Sequence, residues 1–187
     1  HDGITKNKPG GFTRGHHKRQ WTGYAEEDPK RIESLTDRAI EFLRDSVTQE
    51  RPFFLQLSHY AVHSDIVFSD KSFDTTSTWL KGSLHSNASY AAMLKDLDDS
   101  IGVFLQSFKH LDLSRNTYIF FTSDNGGMPI LPQKTNLGMP YKFGLNSPLL
   151  RGKWDLTEGG IRVTFAVIGP GVEENSQVDT PVVTYDI

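Results

Sequence analysis

The chain has 187 residues, of which 36% are hydrophobic and 23% are charged, and its formal net charge is −3. This size and composition are typical of one globular domain with a hydrophobic core. The slight negative charge provides no basic field for nucleic acid, and the absence of cysteine excludes disulfides, thiol nucleophiles and thiolate zinc sites. No apolar run approaches the roughly 18 residues that a membrane-spanning helix needs.

The predicted elements alternate between helices and short apolar strands. Residues 1–27 show no periodicity and are predicted to be a loop. A helix is predicted over 29–47, with Asp28 as its cap and Pro29 in its first turn. The remaining predictions are a strand over 53–57, a polar surface insertion over 64–86, a helix over 88–109 and strands over 117–122 and 163–168.

Each predicted helix has one apolar face. The first presents Ile32, Leu35, Ala39, Ile40, Leu43 and Val47, and the second presents Tyr90, Met93, Leu94, Leu97, Ile101, Phe104, Leu105 and Phe108. The carboxylates Asp96, Asp98 and Asp99 fall on the opposite, polar side of the second helix, where a solvated face is the expected environment.

Short apolar strands that alternate with helices favour an α/β domain with a mainly parallel sheet flanked by helices. We expect the strands 53–57, 117–122 and 163–168 to be neighbours in one sheet. Ligands of such sheets bind at the carboxyl ends of the strands. Polar clusters follow two of these strands, in the sequences HYAVH and SDNGG, so both clusters are expected at one edge.

The SDNGG cluster contains the first candidate site residues. Asp124 offers a carboxylate and Asn125 a carbonyl oxygen, which are ligands that Ca²⁺ prefers. Gly126 and Gly127 allow a sharp turn and keep side chains out of the site. The alternative is a plain strand-ending turn, since Asp-Asn-Gly-Gly is favourable turn chemistry by itself.

Two further candidates are a histidine and a lysine in polar loops. His63 follows the strand 53–57 and is able to act as an acid or base near neutral pH, although His59 lies only four residues earlier. Lys153 lies in the glycine-flanked sequence RGKWDLTEGG, where its ammonium could hold an anion. The alternative for both is an ordinary exposed loop residue.

The chain begins with HDGITKNKPGG, which is neither an initiator methionine nor a signal peptide. Near its end, Thr180 is a suitable cap and Pro181 suits the first turn of a helix that would continue beyond residue 187. We therefore expect an internal piece of a longer protein.

Three segments, taken in order, resemble the type I sulfatases of the alkaline-phosphatase-like superfamily. RPFFLQLSHYAVHSD is similar to the strand and histidine segment of that family. YAAMLKDLDDSIGVFLQSFKHLDLSRNTYIFFTSDNGG is similar to its central helix, strand and SDNG motif, and NSPLLRGKWDLTEGGIRVTFAVIGPG to its lysine segment. The resemblance covers about residues 20–187.

The resemblance implies an alkaline-phosphatase-like fold, in which residues 1–187 form the central part of a single catalytic domain whose N-terminal and C-terminal parts are missing. It implies that Asp124 and Asn125 bind calcium, that His63 protonates the leaving-group oxygen and that Lys153 holds the sulfate. His63 and Lys153 would thus be both catalytic and substrate-binding. The formylglycine nucleophile is expected upstream, because this chain has no cysteine and no C/S-x-P-x-R motif. The resemblance implies that the other calcium ligands also lie upstream.

The implied function is hydrolysis of sulfuric esters by the full-length protein, with the chain alone inactive. A sulfated glycan or an aryl sulfate is the expected substrate, and the resemblance implies an extracellular, periplasmic or lysosomal location. Three alternatives stay open: a phosphate or phosphonate ester hydrolase of the same superfamily, a catalytically inactive sulfatase-like protein that binds sulfated glycans, and an α/β domain whose SDNGG is only a turn.

Overall fold

The computed structural model describes residues 23–63, 65–82, 87–128 and 146–187. Within these ranges the helices are α1 (Ile32–Thr48), α2 (Asp70–Ser77), α3 (Ala88–His110) and α4 (Glu158–Ile161). The strands are β1 (Tyr24–Ala25), β2 (Val67–Phe68), β3 (Ile119–Thr122) and β4 (Phe165–Ile168), and short 3-10 helices occupy Pro29–Arg31, Leu113–Arg115 and Thr184–Asp186. None of the helices in the described ranges is long and apolar enough to cross a membrane.

Helix α1 begins after a short 3-10 turn, so its α-helical part starts three residues later than predicted. Asp28 still caps the amino end of α1, because its carboxylate accepts a hydrogen bond from the Glu33 backbone N–H at 3.0 Å. The predicted second helix is confirmed as α3, and the Asn87 side chain caps it by accepting from the Tyr90 N–H at 3.0 Å.

The buried faces of α1 and α3 include small polar residues that the apolar pattern left out. Thr36 and Ser100 are buried, and the Ser100 hydroxyl donates to the Thr36 hydroxyl at 2.8 Å. Because these short side chains satisfy each other, the two helices can pack closely without leaving a buried hydroxyl unpaired. The prediction is wrong for Val47 and Leu94, which are 37% and 43% exposed.

Two hydrophobic clusters surround the central helix α3. The first consists of Ile66, Phe68, Ala92 and Met93, with Ala61, Val62, Phe73 and Tyr90 packed against it. The second consists of Leu43, Phe108 and Leu113, with Phe53, Leu55, Phe104, Leu111 and Ile119 packed against it. Helix α3 therefore contributes to both clusters, and Ile119 attaches strand β3 to the second.

The prediction of a surface insertion over 64–86 is wrong for its described part. Val67 and Phe68 are buried and pair in parallel with Tyr24 and Ala25, within the region predicted to be loop. Helix α2 follows, and Asp96 of α3 accepts hydrogen bonds from the Ser69 N–H at 2.8 Å and from its hydroxyl at 2.6 Å. Asp96 is therefore a half-buried anchor for α2, whereas Asp98 and Asp99 are exposed as predicted.

The predicted single sheet of three strands is not formed by the described residues. Strand β3 pairs with β4 in an antiparallel ladder that runs from Ile119–Ile168 to Thr122–Phe165. The ladder is antiparallel because the chain returns to the end of β3 before β4 begins. Residues 53–57 form no strand ladder with the described residues, although their burial alternates as in a strand; Phe53 and Leu55 pack on the second cluster instead.

The predicted helix start at Thr180 and Pro181 is also wrong in position. The carboxyl-terminal 3-10 turn begins only at Thr184, where the Asp186 carboxylate accepts a hydrogen bond from the Val183 N–H at 2.7 Å. The Asp186 carboxylate, which bonds to the backbone N–H of a residue three positions earlier, replaces the expected cap at Thr180.

Candidate active site

Asp124 and Asn125 lie in a bend directly after strand β3. Asp124 is exposed and Asn125 is half-buried. The Asn125 Nδ2 donates to the Asp124 carboxylate at 2.6 Å. The Ser123 hydroxyl donates to the backbone carbonyl of Asn125 at 2.9 Å. The strand thus ends in a hydrogen-bonded turn, and that turn holds the two candidate ligand side chains side by side.

The donor set of this turn fits a hard cation. A carboxylate and a carboxamide oxygen are suitable ligands for Ca²⁺, which takes about six to eight oxygens in total. Among the described residues, no three His, Cys, Asp or Glu side chains are grouped so that they could hold a metal ion. Asp124 and Asn125 are therefore able to supply only part of a calcium coordination shell.

Glycines allow the SDNGG turn to make a close contact with a second segment, residues 150–160. The Gly126 N–H donates to the Gly160 carbonyl at 2.8 Å. A Cβ on Gly126 would lie 1.8 Å from the Gly159 carbonyl oxygen, and a Cβ on Gly160 would lie 1.9 Å from the Asp155 carbonyl oxygen. Because real Cβ atoms do not approach an oxygen so closely, the contact between the two segments requires glycine at position 126, and the conformation of the second segment requires glycine at position 160.

Lys153 lies in the same second segment, and its backbone is joined directly to the turn. The Lys153 N–H donates to the Gly127 carbonyl at 3.0 Å, two residues after Asn125. The Lys153 residue is half-buried. This hydrogen bond joins the backbone of the candidate cationic residue to Gly127, which follows both candidate metal ligands closely in the chain.

An ion pair closes the loop that contains Lys153. The Arg151 guanidinium donates to the Asp155 carboxylate, which also accepts from the Thr157 N–H at 3.0 Å. The hydrogen bond from Arg151 is the main reason why the pKa of Asp155 lies below its usual value. The Asp155 carboxylate therefore links residues on both sides of Lys153 through charge-assisted hydrogen bonds.

Asn146 holds the two segments together with its side chain. Its Oδ1 accepts from the Gly127 N–H at 2.8 Å, and its Nδ2 donates to the Gly127 carbonyl at 2.7 Å and to the Arg151 carbonyl at 3.0 Å. Asn146 is not predicted from the sequence, because no local motif marks a contact across 19 residues of chain.

The two histidines of the HYAVH segment differ in environment. Both ring nitrogens of His59 are buried without a hydrogen-bond partner in the described part of the chain, and burial lowers the pKa of His59. His63 is exposed, and its backbone N–H donates to the Tyr60 backbone carbonyl at 2.9 Å in a turn. An exposed imidazole after a turn is the more suitable of the two for proton transfer to a substrate.

The structure thus joins Asp124, Asn125 and Lys153 in one interlocked pair of loops. His63 lies in a separate segment, whose Ala61 and Val62 pack against the first hydrophobic cluster. A shared cleft that includes His63 stays a prediction.

Comparisons with known proteins agree with one family. A family model described as Sulfatase matches residues 7–187. The rat N-acetylgalactosamine-6-sulfatase is 35% identical over 133 residues, which cover 71% of this chain and 22% of that protein. The human steryl-sulfatase is 31% identical over 166 residues, which cover 86% of this chain and 26% of that protein.

A solved structure, that of Ps i-CgsB in complex with k-i-k-neocarrahexaose, is similar in fold. It superposes with a TM-score of 0.60 at 28% identity over 75% of this chain and 28% of that chain. The chain spans about a quarter of the length of the relatives that it matches.

Proposed function

The chain belongs to the sulfatase family, and we propose that the protein that contains it hydrolyses sulfuric esters. Its fold is the alkaline-phosphatase-like fold of this family, present here as a partial domain of helices and small sheets. The observation that supports the proposal is the hydrogen bond from the Lys153 backbone N–H to the Gly127 carbonyl, because it joins the backbone of a cationic residue to the turn that contains Asp124 and Asn125.

Lys153 is proposed to hold the sulfate group of the substrate. A sulfate monoester carries one negative charge, and further charge develops on the bridging oxygen as the S–O bond breaks. A fixed ammonium group next to these oxygens stabilises the transition state more than the ground state. The loop closed by Arg151 and Asp155 would hold the Lys153 backbone, from which that side chain extends, in one place during the reaction.

Asp124 and Asn125 are proposed to hold a calcium ion through one carboxylate oxygen and one carboxamide oxygen. The ion, when bound, polarises the sulfate oxygens. The hydrogen-bonded turn at the end of β3 fixes both side chains at one place, which supports this role. The other ligands would come from outside the part of the chain that the structure describes, and the formylglycine nucleophile that the family resemblance implies would come from a C/S-x-P-x-R motif, which this sequence does not contain.

His63 is proposed to donate a proton to the leaving-group oxygen. Its exposure, in contrast to the buried ring nitrogens of His59, supports the choice between the two histidines. A leaving group with a high pKa needs this proton more than an activated aryl leaving group does.

A sulfated glycan is the substrate class that we propose. The names of two relatives support this choice: the rat relative is an N-acetylgalactosamine-6-sulfatase, and the similar structure was solved in complex with a neocarrahexaose. An aryl sulfate would serve as a chromogenic substrate for assays.

The central test is Lys153→Ala in the full-length protein, with turnover measured on an aryl sulfate and on a sulfated sugar. We expect kcat to fall by about 10²–10³-fold, the usual cost of removing one group that stabilises developing charge. The matched control is Lys109→Ala, which removes an exposed lysine at the end of α3. Wild-type turnover in Lys153→Ala would refute the proposed role, and hydrolysis of phosphate but not sulfate esters would refute the reaction.

His63→Ala tests the proton donor with the same two substrates. We expect the sugar sulfate to lose about 10²-fold or more in kcat and the aryl sulfate to lose clearly less, because only the sugar leaving group depends on protonation. His110→Ala, at an exposed position of α3, is the control for loss of a histidine. Equal losses on both substrates would contradict the assignment of His63.

A further inference from the structure

We propose that Asn146 is the positioning residue that sets the geometry between the Asp124–Asn125 turn and Lys153. The proposal rests on the proposed function and extends it to a residue that contacts neither the metal nor the sulfate in that mechanism. Its basis is a set of three side-chain hydrogen bonds that join the two loops.

The carboxamide of Asn146 pairs with Gly127 as one peptide group pairs with another. It accepts from the Gly127 N–H at 2.8 Å and donates to the Gly127 carbonyl at 2.7 Å, so both polar groups of one residue are bonded to one side chain. Two bonds fix the orientation of Gly127, whereas a single bond would leave it free to pivot.

Gly127 is the point at which the two candidate half-sites meet. Its carbonyl also accepts from the Lys153 N–H at 3.0 Å, so both acceptor positions of this oxygen are used. Asn125 lies two residues before it. A shift of Gly127 would therefore change the distance between the proposed calcium ligands and the proposed sulfate-binding lysine.

The third bond ties the clamp to the lysine loop at another place. Asn146 Nδ2 donates to the Arg151 carbonyl at 3.0 Å, two residues before Lys153. Asparagine fits this position because it offers a donor and an acceptor on a short side chain. Aspartate has the same shape but no donor, and it would set a carboxylate oxygen against the carbonyls of Gly127 and Arg151.

The experiment compares wild type, Asn146→Asp and Asn146→Ala in the full-length protein, with Asn116→Asp as the matched control. Asn116 is exposed, and its carboxamide oxygen accepts only a local bond from the Thr117 hydroxyl among the bonds described. Three quantities are measured: amide hydrogen exchange at Gly127 and Lys153, the calcium concentration that gives half of the maximal rise in unfolding temperature, and kcat and KM on an aryl sulfate.

For Asn146→Asp we expect faster exchange at both amides, a higher calcium requirement, and a kcat that is lower by about 10²-fold with a much smaller change in KM. A misplacement of about 1 Å between acting groups is enough for such a loss. A purely structural role would lower the amount of folded protein but leave kcat per folded molecule and the calcium requirement unchanged. Asn116→Asp should match wild type in all three measurements.

Unchanged exchange at Gly127 and Lys153 in both Asn146 variants would overturn the clamp. Faster exchange with wild-type kcat and calcium requirement would overturn its positioning role. A full-length wild type without activity on any sulfate ester would refute the proposed function and, with it, the catalytic part of the inference. The exchange measurement would even then decide whether Asn146 joins the two loops.

Discussion

The helical region and the loop region of this molecule are stabilised in different ways. In the helical region, α1, α2 and α3 bury Ile32, Leu43 and Met93 almost completely. The loop region, made of β3, β4 and the segments 123–128 and 146–164, is held by backbone hydrogen bonds, glycine contacts and the Asn146 side chain. Its strands remain open to solvent: Phe120 is 47% exposed and Ile168 is 53% exposed.

This difference separates stability from positioning. Buried apolar area supplies most of the free energy of folding, and it is concentrated around α3. Backbone bonds between glycine-rich loops add little net stability, but they define positions closely. In the full-length protein we therefore expect changes in the helical region to affect the free energy of unfolding, and changes in the loop region to affect turnover.

Met93→Ala should have the largest effect on stability. Met93 has no exposed surface and lies in the first hydrophobic cluster beside Ile66 and Phe68. Its truncation should lower the free energy of unfolding by about 2–5 kcal/mol, since the cavity would be only partly filled by relaxation. Urea denaturation followed by circular dichroism measures the loss, and kcat per folded molecule should be unchanged.

Gln106→Ala is the control for Met93→Ala, because it shortens an exposed side chain of similar length on the same helix. Its effect should stay within about 0.5 kcal/mol. If Met93→Ala lost turnover without losing stability, the separation between the two regions would be wrong.

Gly126→Ala should affect turnover instead. The new Cβ would have to leave its position 1.8 Å from the Gly159 carbonyl, and the two loops would move apart. Displacement of acting groups by about 1 Å costs about 10²-fold in rate, which equals about 2.7 kcal/mol. Circular dichroism of the helices should be unaffected, while kcat on an aryl sulfate should fall.

Gly102→Ala is the matched control for the glycine change. Gly102 lies inside α3, and a Cβ there would meet no atom within 4 Å. Alanine should stabilise the protein by about 0.5–1 kcal/mol, because glycine weakens a helix interior, and turnover should not change. A Gly126→Ala variant that behaves like Gly102→Ala would show that the loop contact is dispensable.

The same division explains which features the sequence predicts. Helices α1 and α3 are visible as apolar residues three and four positions apart, and both are confirmed. The pattern failed at Thr36 and Ser100, because hydroxyls that satisfy each other can be buried, and periodicity counts only apolar residues. It also failed at the buried residues Ile66–Phe68. Only Val67 and Phe68 pair in a strand, which is too short for its period to be recognised.

The loop region is predictable only in part. Residue type and resemblance to a family indicate Asp124, Asn125 and Lys153, and the structure joins their loops through Gly127. The clamp by Asn146 and the tight contact of Gly126 with Gly159 depend on residues far apart in the chain. Such contacts have no local period or propensity, so a sequence shows the glycines but not what they touch.

His59, in the segment between α1 and β2, provides the smallest expected effect. Burial lowers the pKa of His59 below its ordinary value of 6.5, so between these two values the unfolded chain binds more protons than the folded one. The stability that comes from keeping His59 neutral is therefore present above pH 6.5 and is lost as the pH falls through the folded pKa. We expect His59→Gln, which does not titrate, to lose less stability on acidification than wild type. Urea denaturation of both proteins from about pH 8 to about pH 5 measures this difference, because the imidazole is neutral in both states at the upper limit. Curves that stay parallel over the whole range would show that His59 is solvated in the folded protein.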